Sequence, residues 1–159
     1  MKRIRKIKKN LHLIPTLGYG GAESFLLRLL DYLDNDNILI TIIHSPINKK
    51  RLSRKGVKYI TLDPRYKPFY NYYLFTKLLI SLDKEDTIFS WLYLADLIAT
   101  LLKILLFWKK FKIIWNVRNT LVNIKQYSIY TIFSYSILRS LLKNIPHKII
   151  FNSEEAMDQ

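Results

Sequence analysis

The strongest constraint on the fold is an alternation. Short apolar runs at 10–15, 38–43, 57–62, 87–90, 112–117 and 148–151 recur along the chain, and most are rich in β-branched residues. By length and residue type they read as buried strands. Between them lie segments with helical spacing. In 22–33 the apolar residues Phe25, Leu26, Leu29, Leu30 and Leu33 share one side, with Arg28 and Asp31 on the other. Residues 71–82, 92–107 and 127–142 read as helices in the same way. The predicted order is β-α-β-β-α-β-α-β-α-β. Strands that alternate with helices require right-handed crossovers, which predicts an α/β, Rossmann-like, mostly parallel sheet with helices on both faces.

The length of 159 residues suits one domain of that kind. A hydrophobic share of 50% with 14% aromatics excludes a disordered tail. The absence of cysteine excludes disulfides, thiolate metal sites and cysteine nucleophiles, and fits a cytoplasmic protein. No apolar stretch of signal-peptide type follows the basic start, so no secretion signal is expected. The segment 91–108 is long and apolar, but Asp96, Thr100 and Lys103 form one helical stripe in it. An Asp or Lys near a bilayer centre costs about 2.5–3.5 kcal/mol. An amphipathic helix buried in a soluble domain is therefore expected, with Asp96 capping or solvating the stripe.

At the other end, Asn152-Ser153-Glu154-Glu155 has the cap and first-turn acids of a helix start, and the chain stops at Gln159. One or two turns alone are marginal. The expectation is that residues 1–159 form the front domain of something larger.

In an open parallel sheet, ligands bind at the carboxyl ends of the strands. Those ends supply the Gly18-Tyr19-Gly20-Gly21 turn, His44-Ser45, Ser90-Trp91, Arg118-Asn119 and Asn152-Ser153. The turn leads into a helix, so its backbone N–H groups can meet an anion. It lacks the last glycine of the dinucleotide fingerprint, and no GxxxxGK[ST] motif is present. A tight turn with no ligand explains the glycines equally well.

Four segments add a family resemblance. Ile14-Pro15-Thr16-Leu17-Gly18-Tyr19-Gly20-Gly21-Ala22-Glu23 resembles the opening of family 4 glycosyltransferases of the GT-B fold. Ser90-Trp91-Leu92-Tyr93-Leu94-Ala95-Asp96 resembles their S-W-x-Y-H-A-D segment. Trp115-Asn116-Val117-Arg118 resembles W-N-x-R, and Asn152-Ser153-Glu154-Glu155-Ala156 resembles N-S-E-x-A. The resemblance implies the first of two Rossmann-like domains. That domain holds a saccharide or lipid-linked acceptor and closes over a nucleotide-sugar donor, which a second domain grips with paired glutamates. The second domain has no counterpart here, so the chain is expected to be inactive alone. Leu94 stands where the family commonly has a histidine facing the donor sugar, and leucine can neither donate a hydrogen bond nor shuttle a proton.

Carried onto this sequence, Gly20, Gly21 and Glu23 become the loop that approaches the donor phosphates. Arg118 and Asn119 become acceptor or anion ligands, since an arginine there can grip a phosphate with two parallel bonds. Trp91 stands at a sugar-facing position, although packing is the more ordinary use of such a tryptophan. No catalytic residue is assigned. No metal or cofactor is implied, and His12, His44 and His147 are isolated in sequence.

Charge supplies the second hypothesis. Lys and Arg number 26 against 12 Asp and Glu, a formal +14, which favours polyanions or an anionic membrane. Lys2, Arg3, Arg5, Lys6, Lys8, Lys9, Lys55, Lys58, Lys109, Lys110, Lys112, Lys143 and Lys148 all stand at or before strand starts. In a parallel sheet this places them along the amino edge, away from the site. A peripheral contact with the inner face of a membrane is one reading, and solvated lysine-rich loops are the other. The alternative to a transferase is thus a non-catalytic basic module that binds membrane or nucleic acid. No nucleic-acid-binding motif supports the latter.

Overall fold

A computed structural model of the chain describes residues 8–33, 37–44, 57–117, 129–142 and 144–152. Six strands form one sheet among these residues: β1 (Asn10–Ile14), β2 (Asn37–Thr41), β3 (Lys58–Thr61), β4 (Thr87–Trp91), β5 (Lys112–Val117) and β6 (Lys148–Phe151). The order across the sheet is β3-β2-β1-β4-β5-β6, and every pairing is parallel. The expected α/β, Rossmann-like architecture is what forms. The chain winds outward from β1 through β2 to β3, then returns to place β4 on the other side of β1. The switch point therefore lies between the carboxyl ends of β1 and β4.

Four helices accompany the strands: α1 (Gly21–Tyr32), α2 (Pro68–Ser81), α3 (Tyr93–Leu105) and α4 (Ile129–Ile137). A π-helical turn, Leu138–Leu142, extends α4. Strand alternation sorts the core into two layers. Leu11 and Leu13 of β1 join Ile38, Ile40, Ile60, Ile88, Ile113 and Trp115 beneath α2, α3 and α4. Ile14, Leu39 and Trp91 meet Leu26, Leu27 and Leu30 of α1 on the opposite face. The α2 helix starts three residues before its expected position. Pro68 is preorganised for a first helical turn, and Lys67 caps it in the left-handed conformation at φ 45°.

The polar stripe of α3 faces inward. Asp96 and Thr100 are fully buried against the sheet, while Leu101, Ile104 and Leu105 are exposed. This corrects the expectation that Asp96 is a cap or a solvated group. Its partner is Ser90 on β4, whose Oγ lies 2.5 Å from Asp96 Oδ1. Thr100 donates to the Asp96 carbonyl at 2.7 Å and accepts from the Trp115 indole at 3.2 Å. A small polar network thus clamps α3 onto β4 and β5. No helix of the described residues is long and apolar enough to cross a membrane.

Candidate functional site

The first wall of the switch-point crevice is the glycine turn. Gly20 is the N-cap of α1, and its carbonyl accepts the first helical bond from Ser24 N–H at 3.0 Å. The amides of Gly21, Ala22 and Glu23 belong to the first turn, where helix donors lack intrahelical partners. The two glycines serve different ends. A side chain on Gly20 would run into the Glu23 carboxylate, which folds back over it. A side chain on Gly21 would meet nothing within 4 Å, so this glycine borders open space. Glu23 stands at the third helical position, and its carboxylate lies at the positive end of the helix. The turn therefore carries an anion of its own, which a phosphate approaching the same amides would displace or repel. Tyr19, beside it, is exposed.

The second wall is the β4–α3 junction. Leu92 caps α3 with φ 71° and ψ 152°, a region reserved almost entirely for glycine. Such a conformation costs roughly 1–3 kcal/mol and persists only where its surroundings dictate it. Those surroundings are visible here. Asn116 Nδ2 donates to the Ser90 carbonyl at 3.3 Å, Ser90 is bound to Asp96, and Asp96 N–H donates to the Leu92 carbonyl at 3.0 Å. Leu94, at the position of the resembled family's histidine, is half-buried.

Beneath the switch point lies a buried cluster of rings. Trp91 is 1% exposed, packed under α1 with its ring 6.0 Å from that of Phe25. It offers no face to a sugar, so its role here is the packing one. Its indole N–H points at His12 Nδ1 at 3.4 Å. Nε2 therefore carries the proton and donates to Asn37 Oδ1 at 3.3 Å. His12 also stacks on Phe89, with ring centroids 5.2 Å apart. Burial pulls the His12 pKa down to about 4, against the opposing effect of the Asn37 bond. The neutral imidazole is a structural joint between β1, β2 and β4.

A further cluster lies at the carboxyl ends of β2 and β3. Asp63 is buried and accepts from His44 N–H at 3.0 Å, from Arg65 N–H at 2.9 Å and from the Arg65 guanidinium at 3.0 and 2.8 Å. These bonds, led by that of the Arg65 side chain, hold its carboxyl far below the usual range, and the same contact raises the Arg65 pKa. His44 stacks flat on Tyr66, with centroids 3.8 Å apart. Tyr59 Oη bridges Thr41 Oγ1 at 2.9 Å and His44 Nδ1 at 3.5 Å. By sequence, His44 is placed at a strand end and no role is assigned to residues 63–66. The missed signal is Asp63-Pro64-Arg65, an Asx-type turn whose acid bonds the backbone two residues on.

Of the residues expected at the site, Gly20, Gly21 and Glu23 border the crevice and Trp91 lies beneath it. Arg118, Asn119, Ser45 and the helix start after Asn152 lie outside the described residues. Among the described residues, no three His, Asp or Glu side chains converge as metal ligands do.

The sequence matches no family model and no curated protein. Its fold is similar to that of the crystal structure of Anabaena Alr3699/HepE in complex with UDP, with a TM-score of 0.67 and 16% identity. The likeness covers 94% of this chain and 39% of that one, so this chain spans well under half its length. At this identity the likeness is one of fold: a doubly wound parallel α/β domain shared with a protein that binds a nucleotide.

Proposed function

We propose that this chain is the acceptor-side domain of a glycosyltransferase of the GT-B type. It would work with a donor-binding half to move sugar from a nucleotide-sugar to a saccharide or lipid-linked acceptor. The observation that carries the reading is the pairing, at one switch point, of an open helix N-terminus at Gly21 with the strained β4–α3 junction at Leu92. Strain of this kind gathers at ligand sites. The fold shared with a UDP-bound protein and the four-segment resemblance both support the same assignment. On this reading the amides of 21–23 approach the donor diphosphate and Glu23 swings aside. The His44–Tyr66 stack with Arg65 borders the acceptor side, and Arg118 and Asn119 help to hold an anionic group there. The isolated chain transfers no sugar, because the groups that grip the donor lie in the other half. Its place is cytoplasmic, peripheral to the inner face of a membrane.

The test is amide chemical-shift mapping with UDP, supported by one variant. Shifts should gather on 18–23 and 92–95 and saturate weakly, with Kd at or above about 1 mM, equivalent to about −4 kcal/mol. Gly21→Leu should remove them without loss of stability, since its side chain enters open space. Absent shifts, or shifts scattered over the lysine-rich edge and unchanged by Gly21→Leu, would leave the non-catalytic basic module as the better reading.

A further inference from the structure

The edge opposite the crevice carries a feature that sugar transfer does not use. α3 ends there, and the turn at 106–108 presents Phe107 and Trp108, which are 78% and 61% exposed. Their rings meet edge to face at 5.2 Å. Ile104 and Leu105 of α3 are exposed beside them. Two lysines hold this turn from behind. Lys103 Nζ donates to the carbonyls of Lys109 at 3.0 Å and Phe111 at 2.6 Å. Lys109 Nζ reaches the carbonyls of Ile80 and Leu82 and so draws in the end of α2, where Ile80 is also exposed. The protruding aromatics thus stand on a braced turn.

Positive charge surrounds them. Lys84, Lys110, Lys112 and Lys148 are exposed along the same edge, with Glu85 as the exposed acid among them. A groove of about 380 Å³ opens beside the turn, lined by Lys103, Lys110, Lys112 and His147 over Phe111. Exposed apolar patches rimmed by polar residues mark interaction surfaces. A tryptophan with flanking lysines suits the boundary of an anionic bilayer, where the ring sits at headgroup level. A second copy of this chain is a poor occupant, because each copy carries a formal +14.

We propose that the Ile104–Leu105–Phe107–Trp108 projection and its lysine rim form a docking surface for an anionic lipid bilayer. The aromatics enter the interface and the groove receives a lipid phosphate. This inference stands independently of the transferase reading, since it uses the opposite edge of the sheet.

Intrinsic fluorescence tests it directly, because Trp91 and Trp115 are buried and Trp108 is exposed. Vesicles of phosphatidylcholine with phosphatidylglycerol should shift the emission to the blue, and vesicles of phosphatidylcholine alone should not. Added salt should weaken the effect. Lys110→Glu with Lys112→Glu should lower the partition coefficient by about 25-fold or more, since each lysine near such a surface contributes about a factor of five. Phe107→Ser should weaken binding while leaving the Trp108 signal available. Trp108→Phe should keep co-sedimentation with the vesicles but lose the shift. Binding without a blue shift, a shift evoked by inorganic phosphate alone, or equal binding to neutral vesicles would overturn the proposal. So would concentration-dependent dimerisation that Phe107→Ser abolishes. UDP mapping at the far edge would be unaffected by any of these results.

Discussion

Asp96 offers the sharpest physical test of the fold. Its carboxyl is fully buried, Oδ1 meets Ser90, and Oδ2 has no hydrogen-bond partner among the described residues. Burial pushes its pKa well above the ordinary carboxylate range, and the Ser90 bond opposes this only in part. The native state therefore keeps a proton that the unfolded chain releases near pH 3.9. Above that pH the folded form binds more protons than the unfolded form, so unfolding free energy falls as pH rises. The limiting slope is about 1.4 kcal/mol per pH unit, and it ends at the native pKa. Asp96→Asn keeps the shape and removes the proton. At low pH the two proteins should be close in stability, because each leaves one buried polar atom unpaired. From about pH 4 upward the variant should gain on the parent by about 1.4 kcal/mol per unit. Urea unfolding at a series of pH values gives the difference curve directly. The difference is essential, because His12 titrates over part of the same range with the opposite sign, which flattens the parent's own profile. Parallel profiles for parent and variant would refute the reasoning and mean that the native carboxyl is ionised or wet.

His12 should titrate near pH 4 by NMR, with the proton of the neutral ring on Nε2. Its lowered pKa contributes stability that is present above pH 6.5 and lost as pH falls toward 4, about 3 kcal/mol in all; a midpoint above 6 would exclude the buried neutral ring. Leu92→Gly and Leu92→Ala both lose the packing of the half-buried side chain, but only glycine releases the strain. Leu92→Gly should therefore be more stable than Leu92→Ala by about 1 kcal/mol, as roughly 1–3 kcal/mol of strain exceeds the 0.5–1 kcal/mol entropic cost of glycine; a glycine variant no more stable than the alanine one in urea titrations would argue against strain at this residue. Asp63→Ala should loosen the ends of β2 and β3, read as faster hydrogen exchange at the His44 and Arg65 amides with little change at the Gly18–Gly21 turn. Uniform acceleration would show that Asp63 supports the whole fold.

The strands and helices were legible because each announces itself locally. The run from Ile38 to Ile40 has no other economical use than a buried strand, and Phe25, Leu26, Leu29 and Leu30 can share a core only on a helix. The glycine turn was legible for a similar reason, since it stands between the two. What stayed hidden depends on partners distant in sequence. Periodicity marks the Asp96 stripe but not its direction, and the direction is set by Ser90 and Trp115 on neighbouring strands. The conformation of Leu92 is held by Asn116, Ser90 and Asp96 through bonds on either side of it, and no property of leucine announces it. The Asp63–Arg65 turn was readable by its spacing, but its purpose appears only when His44 arrives from β2.

The parallel sheet also explains how one small domain keeps its basic rim apart from its glycine turn. Every strand enters from one edge and leaves by the other, so position relative to a strand decides the edge without reference to tertiary contacts. Lys58, Lys112 and Lys148 begin strands and Lys109 and Lys110 precede one, which gathers them at the amino edge. Gly18, Gly20, His44 and Asp63 follow strands and gather at the carboxyl edge. Between the edges run strands of four to six residues, about 13–20 Å at 3.3 Å per residue. That span exceeds the Debye length of about 8 Å at physiological salt. Exposed cations at one edge are therefore largely screened from an anion at the other, except along the buried sheet. A basic rim can then accumulate at one edge while the glycine turn at the other keeps its own nearest charge, the Glu23 carboxylate folded over Gly20.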